Sequence, residues 1–366
     1  MTQTPIPYIF MRGGTSRGPY FNRADLPQNL DQLAKVLISA LGSGHALNID
    51  GIGGGNAVTT KVAMLSGSNL PGADIDYFFA QVSVEDSLVD FKPTCGNILS
   101  GVASAAIEMG LHPISEGETS VAIHAVNTGA EIIAKVQTPR GQISYAGKAA
   151  IDGVPGTAAP VELNFMKVAG SSTGAFLPTG NLTDEIDGIP VTCMDVAMPM
   201  VIARAADFGL SGYETRDELD KNKVFFQHME ALRIKAGAAM GMGDVRKSVT
   251  PKFGLIAPAK HGGSLTTRYF MPWKTHPTMA VTGSQCLASC ALTPGTVADG
   301  LLERPMEIPA KITLEHPMGS MEVLVDYRLK DGAFEHKSAG LIRTCRKLAD
   351  GQVYVPAEIW DGHTGR

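Results

Sequence analysis

The chain has 366 residues, with 31 Lys and Arg against 36 Asp and Glu (formal net charge −5 at pH 7), 44% hydrophobic residues and 18% charged. That length exceeds one ordinary core, so two domains are expected, and the composition is that of a globular chain without a membrane-length apolar run. The negative balance gives no footing for nucleic acid or a membrane surface, and any anionic ligand must be held by local positive groups. Five scattered cysteines (Cys95, Cys193, Cys286, Cys290 and Cys345) with no CxxC spacing fit a reducing cytoplasm rather than a disulfide framework or a zinc site. The first residues lack the basic-then-apolar pattern of a secretory leader.

In chain order, residues 6–11 read as a first strand delivering the loop Arg12-Gly13-Gly14-Thr15-Ser16-Arg17-Gly18. Its glycines let backbone approach a ligand, and arginine forks match carboxylates, although a plain turn would read the same way. The GxxxxGK[ST] spacing of a phosphate loop is absent. Leucines 30, 33, 37 and 41 share one face of a helix. A second glycine-rich loop at 48–56 precedes an apolar stretch in which Lys61 is the only charge between Asp50 and Asp74. Lys61 is then either a partly desolvated base or a snorkelling surface lysine. Residues 76–90 alternate as strand, turn and strand, and 119–151 supply further strands, with 138–141 as a hairpin turn.

Residues 91–111, FKPTCGNILSGVASAAIEMGL, are the chain's most distinctive stretch. From 97 to 109 apolar residues fall on every side of the helical wheel, which predicts a helix buried on every side and stopped at Gly110. Its start, Cys95-Gly96-Asn97, offers unpaired N–H groups and the positive dipole end to an anion. A core helix that merely begins at a cysteine would look the same. Residues 153–180, rich in Gly, Pro, Ser and Thr, contain the expected inter-domain passage at 169–180. The second half repeats the plan: strands, a long helical pattern at 215–240, more strands, then Thr282-Gly283-Ser284 leading into an apolar stretch with Cys286 and Cys290 one helical turn apart. The latter two read as core cysteines. Strands at 311–314 and 322–329 and a last one at 353–356 close the chain. The two triplets, each ahead of an apolar helix of small residues, form a weak internal repeat.

These stretches together resemble the diaminopimelate-epimerase-like superfamily, in its branch of methylaconitate and methylitaconate isomerases and 4-oxalomesaconate tautomerases. The resemblance is carried by MRGGTSRG (11–18), DGIGGGNAVTTKVAML (50–65), PTCGN (93–97), AVTGS (280–284), LEHPMGSMEV (314–323) and LIRTCRKLADGQVYVP (341–356), which span nearly the whole chain. It implies an α+β fold of two similar domains, each a barrel-like sheet wrapped round one central helix, with the active site in the cleft between them. The expected domains are 1–182 (central helix about 96–110) and 183–366 (central helix about 283–293), the last strand returning to the first domain. Epimerases of the superfamily carry a cysteine at both triplets; Thr282 at the second disfavours a two-thiol epimerase here. Arg17 stands where many relatives have lysine.

The resemblance assigns acid–base work to Lys61 and Cys95, and substrate binding to Arg12, Thr15, Ser16, Arg17, Gly96, Asn97, Thr282, Gly283 and Ser284. It implies a reaction needing neither metal nor nicotinamide: a proton leaves a carbon beside a carboxylate and a double bond, a dienolate forms, and a proton returns elsewhere. The base must be neutral, and Arg12 and Arg17 are the expected neighbours that keep Lys61 so. No cation cluster large enough for a trianion is visible, so helix starts and backbone donors are expected to share that load. The implied substrate is an unsaturated polycarboxylate, foremost 4-oxalomesaconate of aromatic-ring catabolism, with 2-methylaconitate or methylitaconate as the alternative within the class. A non-catalytic polycarboxylate-binding protein is the alternative outside it. Assembly as a homodimer is compatible with this reading.

Overall fold

The computed structural model describes residues 2–330 and 333–363. The chain first lays down β1 (Gln3–Gly13), β2 (Ser16–Asn22), α1 (Leu30–Leu41), β3 (Lys61–Gly67), β4 (Ile75–Val82) and β5 (Val89–Asp90). Next come α2 (Gly96–Leu99), α3 (Val102–Glu108), β6 (Gly117–Ala125), β7 (Ala130–Thr138) and β8 (Pro160–Met166). It continues with β9 (Asp184–Ile186), β10 (Ile189–Asp195), β11 (Pro199–Arg204), α4 (Arg216–Lys221) and α5 (Lys223–Ala239). The remainder is β12 (Lys252–Pro258), β13 (Leu265–Phe270), α6 (Val281–Leu292), β14 (Ala310–His316), β15 (Gly319–Lys330) and β16 (Ala333–Pro356). These elements form two compact units, Met1–Leu163 with Ile342–Arg366, and Asn164–Leu341. The division falls inside β8 rather than at 182/183. The glycine-rich passage belongs to the second unit because it is bonded there: Gly170 N–H donates to the Asp195 carbonyl at 2.8 Å, and Asp195 N–H to the Phe176 carbonyl at 3.0 Å.

In the first unit the strands run β1-β2-β3-β4-β6-β7-β8-β16, and β1 also pairs with β16, so the path closes on itself. α2 and α3 contact β1, β2, β3, β6 and β7 from within, and every residue from 98 to 106 is buried. An all-round apolar helix demands such a wrap, since an open sheet would leave one side in water. The uninterrupted apolar run of β3 has the same cause. Ala63 faces the central helix, while Val62 and Met64 pack under Leu33 and Leu37 of α1 on the outer side.

The predicted single helix is broken at Ser100-Gly101. The Tyr20 hydroxyl donates to the Ile98 carbonyl at 2.5 Å, and the Ser100 hydroxyl to the Asn97 carbonyl at 2.6 Å. A Cβ at Gly101 would run into the Tyr20 hydroxyl. The helix stops at Gly110 as expected, in a Schellman closure with Leu111 N–H on the Ala106 carbonyl at 2.8 Å. The segment 138–141 is not a hairpin turn. The hairpin joins β6 to β7, and 139–141 form a 3-10 turn leading out of β7.

The second unit orders its strands β16-β15-β14-β13-β12-β11-β10-β9. α6 touches β10, β11, β14 and β15, and every residue of it from Gly283 to Leu292 is buried. Cys286 and Cys290 are core residues, and burial pushes the Cys290 thiol up to about 12. The long helical pattern of 215–240 splits at Asn222, whose side chain accepts from Phe225 N–H at 3.0 Å and starts α5. The last strand is far longer than 353–356: β16 has 24 residues, of which those to Leu341 pair with β15 and those from Cys345 with β1.

Two stability predictions follow from this packing. Gly101→Ala, though favourable to a helix in isolation, should cost about 1–3 kcal/mol through its collision with Tyr20, read as a lower denaturation midpoint. In the second unit, burial of Glu315 opposes its ionisation. The amides of Lys260, His261 and Gly263 and the Thr266 hydroxyl, at 2.6–2.9 Å, outweigh it and hold the carboxyl at about 2. Its stabilisation is present above the ordinary carboxylate range and is lost as pH falls toward 2. Glu315→Gln should therefore destabilise the protein at pH 7, with the difference from wild type closing at acid pH in pH-dependent unfolding curves.

Candidate active site

Strand alternation sorts the candidate residues of the first unit onto two faces. Tyr20, Tyr77 and Cys345 face the central helix: Tyr20 bonds Ile98, the Tyr77 hydroxyl donates to the Cys95 carbonyl at 3.3 Å, and Cys345 Sγ lies 3.4 Å from Ser104 Oγ. Burial pushes both phenols well above their ordinary range, so they remain protonated donors. Tyr20 pairs with Ala63 in register, which puts Lys61, two residues earlier on β3, on this helix-facing side.

Lys61 stands opposite Gln81. Its Nζ donates to Gln81 Oε1 at 2.6 Å and lies 5.4 Å from the centre of the Phe79 ring. Tyr77, Phe79 and Gln81 alternate along one face of β4, so this single strand face holds the backbone of Cys95 at one point and the amine of Lys61 at another. Cys95 is the N-cap of α2, half-buried, with no hydrogen bond from its side chain into the helix. The amides of Gly96 and Asn97 have no partner among the described residues, as the first turn of a helix dictates. The Asn97 side chain accepts from Thr15 N–H at 3.4 Å and fills the space beside Gly14, whose φ of +51° and contact with that side chain both exclude a Cβ. The glycine loop and the helix start are thus locked together.

Arg12 and Arg17 lie on the opposite face, and so are not the neighbours of Lys61 that the sequence led us to expect. Met11 and Gly13 take the helix-facing positions of β1, Gly13 with its hydrogens against the Asn97 carbonyl. Arg12 pairs directly with Arg17 on one side and with Arg346 on the other. The three guanidiniums therefore form a ladder across adjacent strands, lining a cavity of about 540 Å³ with Thr15, Ser16 and Thr59. Arg12 Nη1 donates to the carbonyls of Gly14 and Thr344 at 2.9 and 3.0 Å, and burial, with Arg346 nearby, pulls its pKa down. Among the described residues, no Asp or Glu lines this cavity. Like charges directly opposite one another repel, and an anion relieves them. A cation cluster does therefore exist, contrary to the expectation from sequence. Arg346 was missed because its place becomes visible only once β16 is paired with β1. Lys61, Cys95, Gly96 and Asn97 are not in the cavity wall.

In the second unit, Thr282, Gly283 and Ser284 open α6. Ser284 is fully buried; its hydroxyl donates to the Val281 carbonyl at 2.7 Å and its amide to the Ala280 carbonyl at 2.8 Å, so both donors are used within the helix. The Thr282 and Gly283 amides have no partner among the described residues, and no side chain caps this helix. Four of the five cysteines are buried and Cys95 is half-buried. Brief alkylation of the native protein should therefore label Cys95 first, checked by peptide mapping; labelling spread evenly over five sites would contradict the packing.

Residues 3–356 match the family model described as PrpF protein. A (4E)-oxalomesaconate Δ-isomerase of Novosphingobium is 45% identical over 95% of this chain and 97% of its own length. A 4-oxalomesaconate tautomerase of Pseudomonas putida is 42% identical over 99% of each. The crystal structure of a methylitaconate Δ-isomerase superposes with a TM-score of 0.89 at 34% identity, covering 98% of this chain and 97% of that one. With a family model that spans nearly the whole sequence and relatives matched end to end, this chain belongs to the PrpF protein family, and it is an isomerase.

Proposed function

We propose that the protein is a cofactor-independent isomerase of an unsaturated polycarboxylate, with 4-oxalomesaconate as substrate, working by proton transfer through a dienolate. The observation that carries this reading is the shared face of β4, where Tyr77 holds Cys95 and Gln81 holds Lys61. Lys61 Nζ removes a proton from the carbon flanked by a carboxylate and the double bond. The negative charge spreads over the dienolate, and the Cys95 thiol returns a proton at the far end. Unpartnered amides of Gly96 and Asn97 suit the developing oxyanion, since fixed donors strengthen their bonds as charge builds. The arginine ladder supplies the positive field that gathers a polyanion to a chain of net charge −5. The names of the relatives at 45% and 42% identity favour 4-oxalomesaconate. The relative of solved structure keeps methylitaconate as the second reading. With five unpaired cysteines, a reducing compartment is the proposed setting.

The test is a proton-NMR time course with 4-oxalomesaconate in D2O. Deuterium should enter an allylic carbon as the double bond moves, and its position distinguishes tautomerisation from the allylic shift. Binding with no exchange at any carbon would overturn the isomerase reading. Lys61→Ala should lower kcat about a hundredfold or more with unchanged unfolding behaviour. Arg346→Ala should raise KM about tenfold and flatten the salt dependence of kcat/KM, leaving kcat near normal; an unaltered salt profile would remove the ladder from substrate capture.

A further inference from the structure

We infer that Gln81 is a positioning residue for the proton-abstracting lysine, and that its being an amide rather than a carboxylate is what lets Lys61 act as a base. This inference rests on the proposed role of Lys61. The geometry is a relay of fixed partners. The Gln81 amide nitrogen donates to the Ala57 carbonyl at 3.1 Å, the Val82 carbonyl at 3.2 Å and the Thr60 hydroxyl at 3.4 Å. With its NH2 group held by three acceptors, the amide has one orientation, and its oxygen is left pointing at Lys61 Nζ, 2.6 Å away. The cross-strand register of Lys61 with Gln81 fixes the distance, and the Phe79 ring closes a second side of the ammonium.

A lysine that accepts a proton changes from neutral to cationic. The hydrogen bond it donates to Gln81 Oε1 is ordinary in the neutral amine and charge-assisted in the ammonium. Gln81 therefore stabilises the charge that develops on Nζ during the reaction, while holding one N–H and so confining the lone pair to the two remaining positions on Nζ. A carboxylate in the same place would hold the lysine protonated before the reaction began. The titratable groups that share the face of Lys61 on the adjoining strands are Tyr20 on β2 and Tyr77 on β4, with Cys95 ahead of α2, while Arg17 on β2 and Asp76 on β4 take the opposite face. Glu85, Asp86 and Asp90 line a separate cavity on which Gln81 also borders. The amide thus occupies the position between the amine and that acidic rim.

The experiment is the pH dependence of kcat/KM for 4-oxalomesaconate in wild type, Gln81→Glu, Gln81→Leu and Lys61→Ala, each first shown to be folded by its melting curve. Gln81→Glu should move the acid limb to higher pH by about one unit or more, with low turnover at pH 7 that recovers in alkali. Gln81→Leu should lower kcat about tenfold or more while KM stays within a few-fold and no alkaline recovery occurs. A Gln81→Glu profile superimposed on wild type, with Lys61→Ala inactive, would overturn the inference about Gln81 alone. Turnover retained in Lys61→Ala would overturn the base assignment and this inference with it. If Gln81→Leu does not fold, the Gln81→Glu profile decides by itself, because a merely structural amide gives no reason for an alkaline shift.

Discussion

The structure depends on one constraint: a helix that is apolar on every side must be surrounded on every side. No two-layer arrangement satisfies residues 98–106 or α6, because each would leave a stripe in water. A sheet that curves round the helix does satisfy them, and the first unit closes its strands into a ring for this reason. The constraint also shapes the candidate site. A helix sealed along its length is open only at its ends, so the unpartnered amides of its first turn are the one polar feature the wrap cannot cover. In the first unit Cys95 is the residue at that opening, and Lys61 is the first residue of the strand that passes it.

The same alternation that buries the core divides the charges. On β1, β2 and β16 the helix-facing positions include Met11, Gly13, Tyr20 and Cys345, and Arg12, Arg17 and Arg346 take intervening ones. A lysine on the inner face and three guanidiniums on the outer face can then coexist without crowding. In the proposed mechanism this separates attraction of a polyanion from removal of its proton, so that a strong positive field need not be matched by carboxylates beside the amine.

Much of the fold was legible because it rests on composition within single segments. The all-round apolar character of 97–109, the small residues of 285–292 and the two Gly-centred triplets can be read without knowing any partner, and both central helices lie where they were expected. What depends on register could not be read in this way. Arg346 joins Arg12 only because β16 is antiparallel to β1, and Gln81 reaches Lys61 only because β3 and β4 align those two positions. The break at Gly101 needed the Tyr20 hydroxyl. The resemblance implied substrate binding by Ser284, and in the helix its hydroxyl turns back to the Val281 carbonyl, a habit of serine near helix starts. The length of β16 was hidden by its charged residues, which fall on both faces of the strand: Arg346 pairs with Arg12 on the outer side, while Lys347 pairs with Met11 and donates to Glu108 at 2.9 Å.

The placement of β16 also bears on how the chain reaches its fold. β1 is synthesised first, yet the strand that completes its pairing, residues 345–356, emerges only after the whole of the second unit has been made. The second unit is one unbroken stretch of chain and can assemble as soon as it leaves the ribosome. The first unit must wait, holding one edge of its ring unpaired, and an exposed strand edge is a site for misassembly. Closing it requires bringing the two ends of the sequence together, a slow, long-range step in any β-rich topology. During synthesis the unit that carries Lys61 and Cys95 is therefore the later of the two to be completed.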